Sequence, residues 1–293
     1  ILIPTWARAG GREEFKKRVS NKITKEKIKK EIEFNILNDR GGDDLNRVQF
    51  SRVAWKPELE GKTLKDWAVM RGIEPSVKNG AELVIEAELN GGASCIFHAM
   101  DESDVENIMK YPHTMIASDG RLSEPGVGHP HPRAYGTFPR VLGRYVREKK
   151  VISMSEAIYK MTYLPAKSFG LKNRGLIKEG MMADITIFDE EKIIDNATFE
   201  SPHQYPDGIK YVGELKYNKP YGHGTMFFSE PKPIFYNDTK YVGEFKYGVF
   251  NGQGTTTYAN GSKFVGNFRD GSYYGLGTYT FANGTVNKGI WKN

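Results

Sequence analysis

Tyr211-Val-Gly-Glu-Leu-Lys-Tyr217 runs into Tyr221-Gly-His-Gly-Thr225, Tyr241-Val-Gly-Glu-Phe-Lys-Tyr247 into Asn251-Gly-Gln-Gly-Thr255, and Phe264-Val-Gly-Asn-Phe-Arg-Asp-Gly271 into Tyr274-Gly-Leu-Gly-Thr278. From Tyr241 to Phe264 the step is 23 residues, and the same step again lands on Asn287, followed by Gly289 and Trp291. The first interval, Tyr211 to Tyr241, is 30, which places a seven-residue insertion within Glu230 to Asn237. A short fixed period means stacked units that bury a core only between neighbours. Residues 208–293 hold 15 of the 32 glycines. Aromatic residues alternating with polar ones between those glycines predict short antiparallel hairpins. Tyr211, Tyr241, Phe264 and Phe268 are expected to share one face as the core, with Trp291 closing it.

Nothing before about residue 205 carries this period. At 293 residues the chain has room for about two domains. A formal net charge of +6, with both signs interspersed over Lys22 to Glu33, describes a solvated helix face. No basic block stands beside stacking aromatics, which argues against nucleic acid as a partner. The single cysteine, Cys95, excludes an internal disulfide framework and suits a reducing, cytoplasmic setting. No 18-residue apolar run is present. The chain opens on Ile1-Leu-Ile-Pro-Thr-Trp6, without methionine, and is expected to be an internal piece of a longer protein.

Residues 1 to about 190 alternate helix and strand signals. Gly11 to Val19 and Thr24 to Leu37 have helical spacing. Thr63-Leu-Lys-Asp66 and Ser153-Met-Ser-Glu156 have the form of capping boxes, and Gly72 ends the first of these helices. Ser94 to Met100 and Thr114 to Ser118 read as short strands, with Asp101 capping a helix between them. The alternation predicts parallel βα units. Gly175 to Gly180 and Ala183 to Phe188 read as two further strands, and Asp195 to Pro206 as loop.

Met115-Ile-Ala-Ser-Asp-Gly120, His131-Pro-Arg-Ala-Tyr-Gly-Thr-Phe-Pro-Arg140 and Val141-Leu-Gly-Arg-Tyr145 resemble the last quarter of the N-acyl-D-amino-acid deacylases (D-aminoacylases), members of the amidohydrolase superfamily. Trp6-Ala-Arg-Ala-Gly-Gly-Arg12, Glu156-Ala-Ile-Tyr-Lys-Met-Thr162 and Gly180-Met-Met-Ala-Asp184 extend the likeness over residues 1–212. The resemblance implies an α/β fold, part of a (β/α)8 TIM-type barrel over residues 1–173, with strands of its small β-domain over 174–207. It implies a zinc-dependent hydrolase that cleaves the amide of N-acyl-D-amino acids, with chemistry at the C-terminal ends of the strands. Thr114 to Ser118 then becomes barrel strand 8. Asp119 at its end would ligate or neighbour zinc, take a proton from water and pass it to the leaving amine. Arg133 matches the position that grips the substrate carboxylate, and Met100 a pocket-wall position. Each residue also admits a plainer role: Asp119-Gly120 as a strand-ending turn, Arg133 as a surface arginine, Met100 as ordinary core.

His129-Pro-His131 has the H-x-H spacing of the superfamily's metal motif, but it lies in a proline-flanked loop and is rejected as the metal pair. His98 and His113 read as strand-end or core histidines, and Cys95 as core. Zinc catalysis takes about three protein ligands plus an open position. Asp119 has no matching partner in this chain, so the other ligands are expected upstream and the chain as given is expected to be inert.

The 23-residue pattern over 208–293 resembles MORN repeats, three copies and a partial fourth, an all-β hairpin array. The resemblance implies a scaffold that contacts protein or anionic lipid. Residues 208–212 can end the deacylase pattern or begin the first hairpin, which fits a fusion through one shared strand or a joining of two unrelated sequences. The alternative function is a scaffold with a vestigial barrel. A different barrel hydrolase, such as a phosphodiesterase, is disfavoured by the His131 to Arg140 string.

Overall fold

A computed structural model of the chain describes residues 2–292 apart from 41, 122, 124–125, 217–218 and 229–237. The seven-residue insertion between the first two repeats therefore lies outside the described residues. The chain divides into two compact units, one of residues 1–109, 118–137 and 197–204, the other of 110–117, 138–196 and 205–293.

The first unit is built from helices α1 (Thr5–Arg8), α2 (Gly11–Ser20) and α3 (Lys22–Asp39), strand β1 (Val48–Arg52), helices α4 (Leu64–Met70) and α5 (Val77–Asn90), strand β2 (Ser94–Phe97) and helix α6 (Glu102–Lys110). Asn21 caps α3 by accepting from the Thr24 amide, and Ile28, Ile32 and Ile36, one turn apart, face inward fully buried. They pack with Phe15, Trp67 and Leu83 in one core. Gly80 lets α5 approach closely, since a methyl there would stand 3.1 Å from the Leu45 side chain. Thr63 and Asp66 form the expected capping box, and Gly72 follows α4 at φ +65°.

Three expectations fail in this region. Among the described residues the expected parallel βα pairing is absent: β1 and β2 are antiparallel, Val48 opposite Phe97 and Phe50 opposite Cys95. A parallel barrel strand needs neighbours on both sides; two strands alone gain more from the antiparallel ladder, which is the more stable per residue. The strand expected over Ser94 to Met100 stops at Phe97. Thr114 to Ser118 forms no strand at all. Residues 110–117 belong to the second unit, and there the helix over Met154–Met161 claims this backbone: the Ile116 amide donates to the Lys160 carbonyl, and the buried Lys160 Nζ donates to the carbonyls of Tyr111 (2.5 Å) and Thr114 (3.3 Å).

The chain continues with α7 (Arg133–Arg140), which contains Pro139 and widens into a π-helical run over Val141–Glu148. Helices α8 (Met154–Met161) and α9 (Tyr163–Ser168) follow, with the expected Ser153–Glu156 capping box at the start of α8. Gly143 sits against the Ile193 carbonyl, at a distance no side chain could share. Residues 175–180, expected as a strand, are turns and bends bounded by Gly175 (φ +86°) and Gly180 (φ +81°), backbone that breaks a ladder at both ends.

Strands β3 (Asp184–Phe188), β4 (Ile209–Lys216), β5 (Lys219–Phe227), β6 (Asp238–Lys246), β7 (Val249–Tyr258), β8 (Lys263–Arg269), β9 (Ser272–Thr280) and β10 (Val286–Trp291) form one antiparallel sheet in sequence order. Register explains the repeat. Gly213, Gly224, Gly243, Gly254, Gly266, Gly277 and Gly289 lie opposite one another in a single row across β4 to β10. Rings fill the space the missing side chains leave: Tyr211 lies over Gly224, Tyr241 over Gly254 and Phe264 over Gly277. The expected core residues Tyr211, Tyr241, Phe264 and Phe268 are buried, joined by Phe245 and Phe250. Trp291 meets Phe264 edge-on at 5.3 Å between centroids. The Tyr241 ring stacks on Phe250 at 3.8 Å, and its hydroxyl donates to the Glu244 carbonyl at 2.9 Å. The opposite face carries a second row, Thr186, Val212, Thr225, Val242, Thr255, Val265 and Thr278. β4 pairs with β3 on one side and with the first repeat's β5 on the other.

Candidate active site

Asp119 and Arg133 come together. Arg133, the first residue of α7, places Nε 3.0 Å from Asp119 Oδ1, with the two side chains 45% and 78% exposed. The pairing rests on backbone contact beneath it. A methyl on Gly120 would stand 2.8 Å from the Arg133 carbonyl oxygen and 3.0 Å from Ala134 Cα, so only glycine lets the Asp119 turn lie on α7. The Gly120 amide donates to Ser118 Oγ at 3.1 Å. Thr137 Oγ1 lies 3.1 Å from Ser118 Oγ and 3.0 Å from the Arg133 carbonyl. His131 Nδ1 accepts from the Arg133 amide at 3.0 Å, which fixes the loop ahead of the helix. A carboxylate able to accept a proton and a guanidinium able to hold a second carboxylate thus share one small, solvent-facing site.

Met100 is 76% exposed in the irregular segment beyond β2. Thr137 was not singled out by sequence. Its spacing, four residues after Arg133, was the available signal once α7 is recognised as a helix.

Around Phe199 the first unit gathers three histidines. His98 and His131 meet its ring edge-on at 4.5 and 5.0 Å, and His129 Nε2 lies 2.5 Å from its carbonyl. Buried Gln49 faces His98 Nε2 through Oε1 at 3.1 Å and donates through Nε2 to the carbonyls of Gly61 and Phe199. Burial pushes the His98 pKa down; Glu200 opposes this and Arg47 adds to it. Burial also pushes the thiol of Cys95 up to about 12, which leaves it protonated and unsuited to metal or nucleophilic chemistry.

Among the described residues, no three His, Cys, Asp or Glu side chains converge to hold a metal ion. His129 and His131 spend ring nitrogens on backbone groups, and the near neighbour of Asp119 is a cation. The donors among the described residues do not fit a zinc site.

Residues 60–213, just over half of the 293, match the amidohydrolase family, and residues 211–230, 241–263 and 264–286 match the MORN repeat. The chain belongs to the amidohydrolase family and carries MORN repeats at its C-terminal end. Among curated proteins it is 38% identical over 177 residues to an N-acyl-D-glutamate deacylase of Alcaligenes xylosoxydans xylosoxydans, covering 60% of this chain and 34% of that one. It is 42% identical over 156 residues to a D-aminoacylase of the same organism, covering 53% and 30%. Among solved structures, the N-acyl-D-glutamate deacylase of Bordetella bronchiseptica, complexed with zinc and a phosphonate mimic of the tetrahedral intermediate, aligns at 35% identity with a TM-score of 0.50, covering 58% of this chain and 33% of that one. A D-aminoacylase structure aligns at 39% identity with the same TM-score, covering 57% and 33%. The chain spans about a third of the length of these relatives. The two family matches overlap at residues 211–213, inside β4, so one strand serves both.

Proposed function

We propose that this chain carries the substrate-carboxylate part of a hydrolase that cleaves the amide of N-acyl-D-amino acids. The observation that supports this most is the Asp119–Arg133 juxtaposition at 3.0 Å, in a segment akin to three deacylases that act on such substrates. Arg133 holds the α-carboxylate of the substrate in the fork of its guanidinium, which fixes the amide relative to Asp119. Asp119 accepts a proton from water as the water oxygen bonds to the amide carbon. As the C–N bond breaks, it returns that proton to the departing nitrogen, giving a carboxylate and a D-amino acid. Met100 lines the side-chain pocket. Zinc belongs to the whole enzyme. The donors among the described residues do not make its site, so the isolated chain binds substrate without turning it over. The test is a nuclear magnetic resonance titration with N-acetyl-D-alanine: saturable shifts at Arg133, lost in Arg133→Gln, support the proposal. Shifts elsewhere that survive Arg133→Gln would sink it.

A second function is carried by the repeats. Their glycine row is intact over β4 to β10, which supports an interaction array for a protein or an anionic lipid surface, with the barrel segment vestigial. Co-sedimentation of the chain with phosphatidylserine vesicles, compared with neutral vesicles, tests the lipid arm.

A further inference from the structure

We infer that Asp119 occupies the carboxylate seat of Arg133 in the unliganded chain, an internal competitor that the substrate's own carboxylate displaces. This rests on the proposed role of Arg133 and adds a regulation of the same site: the residue that moves the proton is held until the substrate arrives.

Three observations carry it. The partner Arg133 holds is chemically what it is proposed to bind, a carboxylate, taken through Nε at 3.0 Å. The pair is set by backbone rather than by two long side chains meeting in solvent. Gly120 lies against the Arg133 carbonyl with no room for a methyl, and Ser118 and Thr137 close a hydroxyl cluster on the same carbonyl. The seat is open to water, with Asp119 78% and Arg133 45% exposed, so an incoming carboxylate reaches the guanidinium without the turn unfolding. An exposed pair is weak enough to be exchanged, yet it taxes the competing ligand. Exchange does two things at once. The substrate carboxylate takes the fork, and the oxygens of Asp119 are released to face water. A molecule without a carboxylate leaves the latch closed, so a neutral amide does not free Asp119.

The experiment is the affinity of the full chain for N-acetyl-D-alanine, and for its neutral amide N-acetyl-D-alaninamide, measured by the same titration. Asp119→Asn removes the competitor and should tighten N-acetyl-D-alanine binding by about two- to fivefold, the range an exposed pair is worth, with no gain for the amide. Asp43→Asn, an exposed carboxylate outside the pair, controls for net charge and should change neither. Arg133→Lys keeps the charge and loses the fork, and should weaken binding while near-ultraviolet circular dichroism stays unchanged. Equal affinity in wild type and Asp119→Asn, with binding still lost in Arg133→Gln, would overturn the latch and leave the clamp standing. An equal gain in Asp119→Asn and Asp43→Asn would also overturn it. Binding untouched by Arg133→Gln would remove both.

Discussion

Replacing Gly254 with alanine tests the glycine row, because two effects there have opposite signs. Gly254 lies in mid-strand on β7 without the left-handed backbone that would demand glycine, so alanine should gain about 0.5–1 kcal/mol from lower chain entropy. Against this, the new methyl would stand 2.4 Å from Tyr241 Oη and 2.6 Å from two ring carbons. Restoring ordinary contact requires the ring to move by about 1 Å. It has nowhere to go: Tyr241 is fully buried, stacked on Phe250 at 3.8 Å and boxed by Phe245 and Phe268 at 5.0 Å each. Overpacking costs about 1–3 kcal/mol, and pulling the hydroxyl from the Glu244 carbonyl about 1 kcal/mol more. The net is a loss of about 1–3 kcal/mol, or a fall of about 2–4 °C per kcal/mol in the melting temperature of a unit this size. Thermal melts followed by near-ultraviolet circular dichroism would read it. In a Tyr241→Ala background the methyl enters vacated space and Gly254→Ala should be neutral or stabilising, a coupling of about 1–3 kcal/mol. A neutral effect in both backgrounds would refute the reasoning.

Other expectations concern the parts around the sites. The pKa of His98 is depressed in the folded chain, so the unfolded chain binds more protons as acid is added. Its contribution to stability is therefore present above pH of about 6.5 and lost as pH falls from there through the lower folded value. The fall in melting temperature from pH 7.5 to 5.5 should shrink in His98→Gln, and an unchanged fall would contradict the assignment. Asp195 is 6% exposed and bonded to Arg140 at 2.8 Å. Arg140→Met strands that carboxylate and should cost about 2 kcal/mol in urea unfolding, after discounting for the partly exposed arginine, whereas Asp195→Asn should cost less. With its thiol held up at about 12, Cys95 should resist iodoacetamide at pH 8 in the native chain and react once it is unfolded, as mass spectrometry would report.

The repeat was legible because each of its residues has one physical task. Glycine makes room at 213, 224, 243 and their successors, and an aromatic ring takes that room, so the period and the buried aromatic face follow from the spacing alone. Helix starts at Thr63 and Ser153 were legible for a similar reason: a capping box is local chemistry within four residues. Strand direction was not, because alternation states which face is buried and never which neighbour is paired. Thr114 to Ser118 is the clearest loss. Its residues suit a strand, but its Ile116 amide is taken by the carbonyl of Lys160 and its Thr114 carbonyl by the ammonium of Lys160, a lysine that charge alone would place in solvent. Of the candidate site, Asp119 and Arg133 were each visible through the deacylase strings. That they meet depends on Gly120 lying flat against α7, a contact fourteen residues apart in sequence that no local pattern encodes. Met100 was placed at a strand end, and the strand ends three residues before it.

The most direct test combines two readings on one sample: the zinc content of the purified chain and the release of D-alanine from N-acetyl-D-alanine, with Asp119→Ala measured alongside. Zinc well below one per chain, no D-alanine above the blank, and saturable binding of N-acetyl-D-alanine that needs Arg133 would match a chain holding the carboxylate part of the site. One zinc per chain that disappears in Asp119→Ala, together with turnover, would contradict it, because the ligands judged missing would then lie among these 293 residues.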